Sequence, residues 1–114
     1  MQQAAMDANA FAEMKDLMGD SFKEIISMCL QTLPKQLSEI ETAIENSNAE
    51  ILFNCSHRMK SSCSSIGAFG LAEKAEAIEL ISRNGSAEIP AQAFTELRDA
   101  TNQVVSILSD ELNN

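Results

Sequence analysis

The chain has no tryptophan or tyrosine, and only four glycines and two prolines among 114 residues. Sheet proteins draw on aromatic and β-branched strands closed by Gly- and Pro-rich turns, so this scarcity argues against a sheet. No apolar run reaches membrane-spanning length and no charged-then-apolar leader opens the chain, so a membrane is not an expected partner. Basic residues are few, 8 Lys and Arg against 17 Asp and Glu, and a net charge of −9 repels nucleic acid and anionic lipid alike. A Gly-rich phosphate loop is missing, which excludes the usual nucleotide cradle and, with it, autokinase chemistry. One histidine without a carboxylate cluster beside it does not make a zinc site, so no metal is expected. The cysteines, Cys29, Cys55 and Cys63, are odd in number and lack metal-type spacing. Cys55 and Cys63 would lie about 12 Å apart along one helix, too far to pair. All three fall at apolar positions, which predicts buried, reduced thiols in a cytoplasmic protein.

What the chain does have is Leu, Ile, Ala and Met at helical spacing, in a length that suits one domain (1–114, core about 8–112). Residues before Asp7 read as a loose start. Asp7 can cap a helix from about Ala8 to Met18, with Phe11, Met14 and Leu17 or Met18 on one side. Gly19 ends it, and Asp20 can cap the next. Phe22, Ile26, Cys29, Leu33, Leu37, Ile40 and Ile44 then form one long apolar stripe, interrupted by Pro34, where a kink or two collinear helices is expected. After the polar turn Asn46-Ser47-Asn48, a helix capped by Asn48 and closed by Gly67 turns Leu52, Cys55, Met59, Cys63 and Ile66 inward. Ala68-Phe69-Gly70 reads as a tight connection to a helix from about Leu71 to Ser82. Its inward residues are Leu71, Ala75, Ile78 and Ser82 or Ile81, while Leu80 falls off that face and is expected to touch a neighbouring element. Asn84-Gly85-Ser86 is a turn, Pro90 suits a first helical position, and Phe94, Leu97, Thr101, Val104, Leu108 and Leu112 mark the last helix. The expected fold is all-α: an up-and-down antiparallel four-helix bundle with a short N-terminal helix capping one end.

The stretch from Ser56 to Ala68 stands apart. It holds the only histidine, His57, and lies in a window from Ile51 to Ala72 without a single Asp or Glu. On a helix, His57 points away from the apolar side, with Phe53, Lys60, Ser61 and Ser64 on the same outward face. That face is opposite Cys55 and Cys63, which disfavours a Cys–His nucleophile pair. Arg58 and Lys60, with Lys74 and Arg83 from the next helix, would form a basic patch suited to an anion. The carboxylates read as scattered over solvated faces. Phe53 is either an exposed anchor for a partner or tucked against a neighbouring helix.

The order His57, Lys60, Ser61, Ser62, Gly67, Ala68 resembles the histidine-containing phosphotransfer (Hpt) domain of phosphorelays. That family's pattern is His, Lys three later, two small residues, and Gly-Ala about ten later; Ser61 stands where Gly is most frequent. The Pro-interrupted helix before the motif and the helix after it share the family's layout. The resemblance implies that His57 accepts a phosphoryl group from a receiver-domain aspartyl phosphate and passes it to another receiver. A neutral imidazole, with an unperturbed pKa of about 6.5, offers a nitrogen lone pair for this near pH 7. It further implies Lys60 as a phosphate contact, and Ser61 and Ser64 as small residues that admit the receiver's rim, with hydroxyls able to bond phosphate. Arg58 and Phe53 become partner contacts, and Ser62 and Gly67 structural residues. No cofactor is expected on this chain, Mg²⁺ being held by the receiver. Partners would be response-regulator receiver domains and a hybrid sensor kinase, met by a monomer without catalysis of its own. Two other readings stand beside it: a helical adaptor that binds a signalling partner without chemistry, and a dimeric kinase fragment. In kinase dimerisation helices an acidic residue and then a proline follow the histidine, whereas here Arg58 follows and the next proline is Pro90. Met1 and the short lead favour a stand-alone carrier over a domain of a hybrid kinase.

Overall fold

The apolar stripes of four helices meet in one core. The structure, a computed structural model, describes residues 4–113. It comprises α1 (Ala8–Met18), a 3-10 turn (Gly19–Ser21), α2 (Phe22–Glu45), α3 (Ala49–Ser65), α4 (Phe69–Arg83) and α5 (Ala91–Leu112), with no strand among the described residues. The long axis, 41 Å, is set by α2, whose 24 residues span about 36 Å. α2 and α4 each pack against both α3 and α5, closing an antiparallel ring. Ile26, Leu33 and Ile40 of α2 meet Leu52 and Met59 of α3, Leu71 and Ile78 of α4, and Leu97, Val104 and Leu108 of α5, all without exposed surface. α1 caps one end: Phe11 packs on Phe22 with ring centroids 5.3 Å apart, and Lys15 pairs with Glu111 of α5. Met18, not Leu17, is its last inward residue, since Leu17 is among the most exposed apolar side chains.

Local chemistry sets the ends of α3, which carries His57. The Asn48 side chain accepts from Ile51 N–H at 3.0 Å, just as Asp7 accepts from Ala10 N–H to start α1. At its far end Ala68 N–H donates to Cys63 C=O (2.9 Å) and Gly67 N–H to Ser64 C=O (3.3 Å), a Schellman closure with Gly67 at φ 81°. A Cβ at Gly67 would stand 2.9 Å from Ala10 Cβ, so α1 could not approach as it does. α2 ends in the same motif, with Asn48 N–H on Ala43 C=O and Ser47 N–H on Ile44 C=O, but here Ser47 takes the left-handed position at φ 52°.

Several expectations are corrected. The start is not loose over its described part: Ala5 and Met6 are buried, Ala5 C=O accepts from Leu71 N–H (3.2 Å), and Asp7 N–H donates to Gly67 C=O (2.9 Å). Residues 1–3 of that start lie outside the described residues. Phe69 and Gly70 belong to α4 instead of a connection, and Gly70 is there because a Cβ would fall 2.1 Å from Ala4 C=O. Asp20 lies inside the 3-10 turn, and Ser21 precedes α2 with no side-chain cap. α2 is one helix through Pro34, not two collinear ones, and Pro34 itself is exposed. Pro90 is the N-cap residue of α5, one place earlier than expected, its carbonyl accepting from Ala93 N–H at 2.9 Å. Leu80 is exposed, because it lies on the side of α4 opposite the core.

Candidate functional site

α3 and α4 form the most extensive helix pair, and small buried residues bring them together: Ser56 on α3, Ala75 and Ser82 on α4. The Ser56 hydroxyl is spent within its own helix on Leu52 C=O (2.7 Å), and that of Ser82 on Glu79 C=O (3.0 Å) and Ile78 C=O (3.1 Å). Beside them lies a carboxylate the sequence reading places on a solvated face. Glu79 of α4 has no exposed surface. Its Oε2 meets His57 Nδ1, and its Oε1 accepts from Lys60 Nζ at 2.7 Å. Glu76 adds a longer contact to Lys60, 3.7 Å. The expectation that the carboxylates are scattered over solvated faces is therefore corrected at Glu79: the acid-free window around His57 is answered by acids from α4.

The electrostatics follow from that placement. Burial alone would raise the Glu79 pKa, but the hydrogen bonds from Lys60 and His57 and the charges of both outweigh it and hold the carboxyl below the usual range. The hydrogen bond to Glu79 raises the Lys60 pKa, against burial and the nearby Arg83 charge and helped by the charges of Glu79 and Glu76. An ionised carboxylate only accepts hydrogen bonds, so the proton of the neutral imidazole resides on Nδ1. The His57 side chain is 54% exposed. With Nδ1 turned to the buried carboxylate, Nε2 and its lone pair face outward.

The other motif residues surround this pair. Phe53, half-buried one turn before His57, stacks on its ring at 6.0 Å between centroids and 16° between planes. The Arg83 guanidinium stands 5.8 Å from the Phe53 ring centroid. Phe53 thus lies between the two sequence alternatives: it is half-buried, with Arg83 of the neighbouring helix α4 beside its ring. Ser61 and Ser64 are exposed. Ser62 is half-buried, donating to Arg58 C=O (3.0 Å) and accepting from Gln36 Nε2 of α2 (3.2 Å). Arg58 is exposed but lies back along α3, its Nε on Asn54 C=O at 3.4 Å. Lys74 leaves the expected basic patch altogether, pairing with Glu96 of α5 at 3.4 Å. The thiols are free: Cys55 and Cys63 are buried and Cys29 partly so. Burial, reinforced by the Cys29 charge, pushes the Cys63 thiol up to about 12, which leaves it no thiolate character at neutral pH. No His, Cys, Asp or Glu cluster among the described residues could hold a metal ion, and no helix is long and apolar enough to cross a membrane.

A four-helix bundle that presents one surface imidazole braced from beneath by a buried carboxylate has the build of a group carrier. The comparisons identify which. The chain belongs to the histidine-containing phosphotransfer family: the Hpt domain model matches residues 24–107. Its role is that of a phosphorelay carrier in two-component signalling. In fold it is similar to histidine-containing phosphotransfer protein B of Pseudomonas aeruginosa PAO1, with a TM-score of 0.88 at 18% identity over 96% of this chain and 95% of that one. It is also similar to the Hpt domain of a sensor hybrid histidine kinase from Shewanella, with a TM-score of 0.79 at 16% identity over 96% and 94% of the two chains. A comparison with curated protein sequences finds no match.

Proposed function

We propose that His57 is the phosphoryl acceptor of this carrier, through Nε2, and that its partners are receiver domains of response regulators and of a hybrid sensor kinase. One observation carries the reading: Glu79 holds Nδ1 from the buried side while Nε2 stays open to solvent. In the step, the Nε2 lone pair forms the N–P bond. The P–O bond to the receiver's aspartate breaks, and its electron pair leaves with that carboxylate. The Nδ1 proton stays on the ring, where the Glu79 carboxylate balances the positive charge that develops. Transfer onward is the reverse, with a second receiver's aspartate as nucleophile. The chain supplies an oriented nucleophile, and the receiver brings Mg²⁺ and its acidic pocket. The carrier does not phosphorylate itself and works as a cytoplasmic monomer.

Ser61 and Ser64 add little bulk beside His57 and leave room for the rim of a docked receiver. Ser62, bonded to Gln36, ties α3 to α2, and Gly67 closes α3. The test is transfer from phosphorylated receiver domains of the source organism to wild type and to His57→Gln. Label that is lost in acid, kept in base and confined to wild type is the expected result. Wild type left unlabelled by the whole panel would turn the reading to an adaptor without chemistry.

A further inference from the structure

The bond from Glu79 fixes one atom of the His57 ring. It sets the tautomer and places Nδ1, but a ring held at one atom still tilts about that point. The Nε2 lone pair lies in the plane of the ring, so any tilt re-aims it. A second restraint comes from α3 itself. Phe53 stands four residues before His57, the spacing that brings side chains together on a helix. Helical side chains lean toward the N-terminal end, which carries the imidazole back over Phe53. The two rings are 6.0 Å apart between centroids and only 16° from parallel. Phe53 is itself held in place: it is half-buried, and the Arg83 guanidinium of α4 stands 5.8 Å from its ring centroid. The imidazole is thus met by a ring from its own helix and by a carboxylate from α4.

We propose that Phe53 is a positioning residue for phosphoryl transfer: its ring fixes the plane of the imidazole, as Glu79 fixes Nδ1, so that Nε2 is aimed before a receiver docks. This rests on His57 being the acceptor through Nε2. An in-line displacement needs the attacking lone pair along the axis of the breaking P–O bond. Phosphoryl transfer asks little of the protein beyond positioning and charge, so angular freedom of the nucleophile costs rate. A near-parallel, offset ring pair favours its own geometry by about threefold to tenfold in population. An aliphatic side chain of similar bulk fills the same space but offers no aromatic face for the imidazole to lie against. Phe53 acts through the imidazole, not on the phosphoryl group. Its task also differs from that of a docking contact. Losing a docking contact weakens the receiver complex, whereas losing the stack slows the chemical step within a complex of unchanged affinity.

The test is single-turnover transfer from a phosphorylated receiver domain, followed by rapid quench at increasing concentrations of the full chain, for wild type, Phe53→Leu and Phe53→Tyr. Phe53→Leu is expected to lower the limiting transfer rate about threefold to tenfold with the half-saturating concentration unchanged, and Phe53→Tyr to retain the wild-type rate. Proton NMR of the unphosphorylated wild type gives a second readout that does not depend on a variant. Nuclear Overhauser contacts are expected between the Phe53 ring protons and the carbon-bound ring protons of His57. A limiting rate unchanged in Phe53→Leu, or a loss confined to the half-saturating concentration, overturns the positioning role, and so does a wild type without the ring–ring contacts. Those outcomes leave the acceptor assignment standing. Chemical phosphorylation with phosphoramidate tests the acceptor separately: wild type that takes no label, or His57→Gln that takes it, overturns the acceptor assignment and this one with it.

Discussion

The two halves of the bundle are built on opposite terms. Along α2 and α5 the buried residues are nearly all apolar, and the exception, Thr101, is satisfied within its own helix by Leu97 C=O at 2.7 Å. The α3–α4 seam instead buries two serines and a carboxylate whose partners come from the facing helix. A buried carboxylate with charged partners is seldom a net gain over apolar packing. Glu79 is better understood by what it does to the imidazole than by what it adds to the fold. All four helices share the apolar core, and the α3–α4 seam in addition holds the His57 ring in one tautomer.

That contrast can be tested from both sides. The largest stability change is expected on the apolar side: Leu108→Ala should lower unfolding free energy by about 2–5 kcal/mol, read by urea titration, with phosphoryl acceptance per folded molecule unchanged. If acceptance falls in step, the halves are not separable. Glu79→Gln should do the reverse, preserving the fold while slowing acceptance about tenfold, the low end of what losing the partner of a functional imidazole costs. A stopped time course of label uptake measures it, and an unchanged rate would reduce Glu79 to a packing residue. The pH profile refines this. Because folding lowers the Glu79 pKa, its contribution is fully present above the ordinary glutamate value of about 4.3 and is lost as pH falls through the lower folded value. Lys60, raised on folding, contributes below the ordinary lysine range and loses that contribution as pH rises above it. Urea midpoints across acid pH should therefore fall less steeply for Glu79→Gln than for wild type. The smallest effect lies away from the site. Ser47 holds a left-handed position that Gly67 holds without strain in the matching motif. Ser47→Gly should raise stability by about 0.5–1 kcal/mol and leave transfer untouched.

Most of the fold was legible because periodicity reports burial. The stripes of α2, α3 and α5, the caps Asp7 and Asn48 and the closing Gly67 all follow from local spacing and side-chain chemistry. Outward placement of His57 followed from the same rule. Glu79 did not, because its burial depends on partners, His57 and Lys60, that come from another helix, His57 being 22 residues away in sequence. A trace was present: Glu79 lies only about 40° around α4 from Ala75, at the edge of the apolar face, where a solvated glutamate is out of place. The packed Ala5-Met6 segment escaped for a related reason, since nothing local shows that Gly70 leaves room for a passing backbone. Arg83 was counted as one basic residue among several. Only the three-dimensional arrangement separates it from Lys74, which turns to α5, and from Lys60, which is bound to Glu79.

The most direct test of a carboxylate-held imidazole with Nε2 as nucleophile is long-range proton–nitrogen NMR of His57 at neutral pH, before and after phosphorylation. The expected result is a proton on Nδ1 in the free protein and phosphorus attached to Nε2 in the loaded one. A proton on Nε2 in the free protein, or phosphorus on Nδ1, would contradict the account.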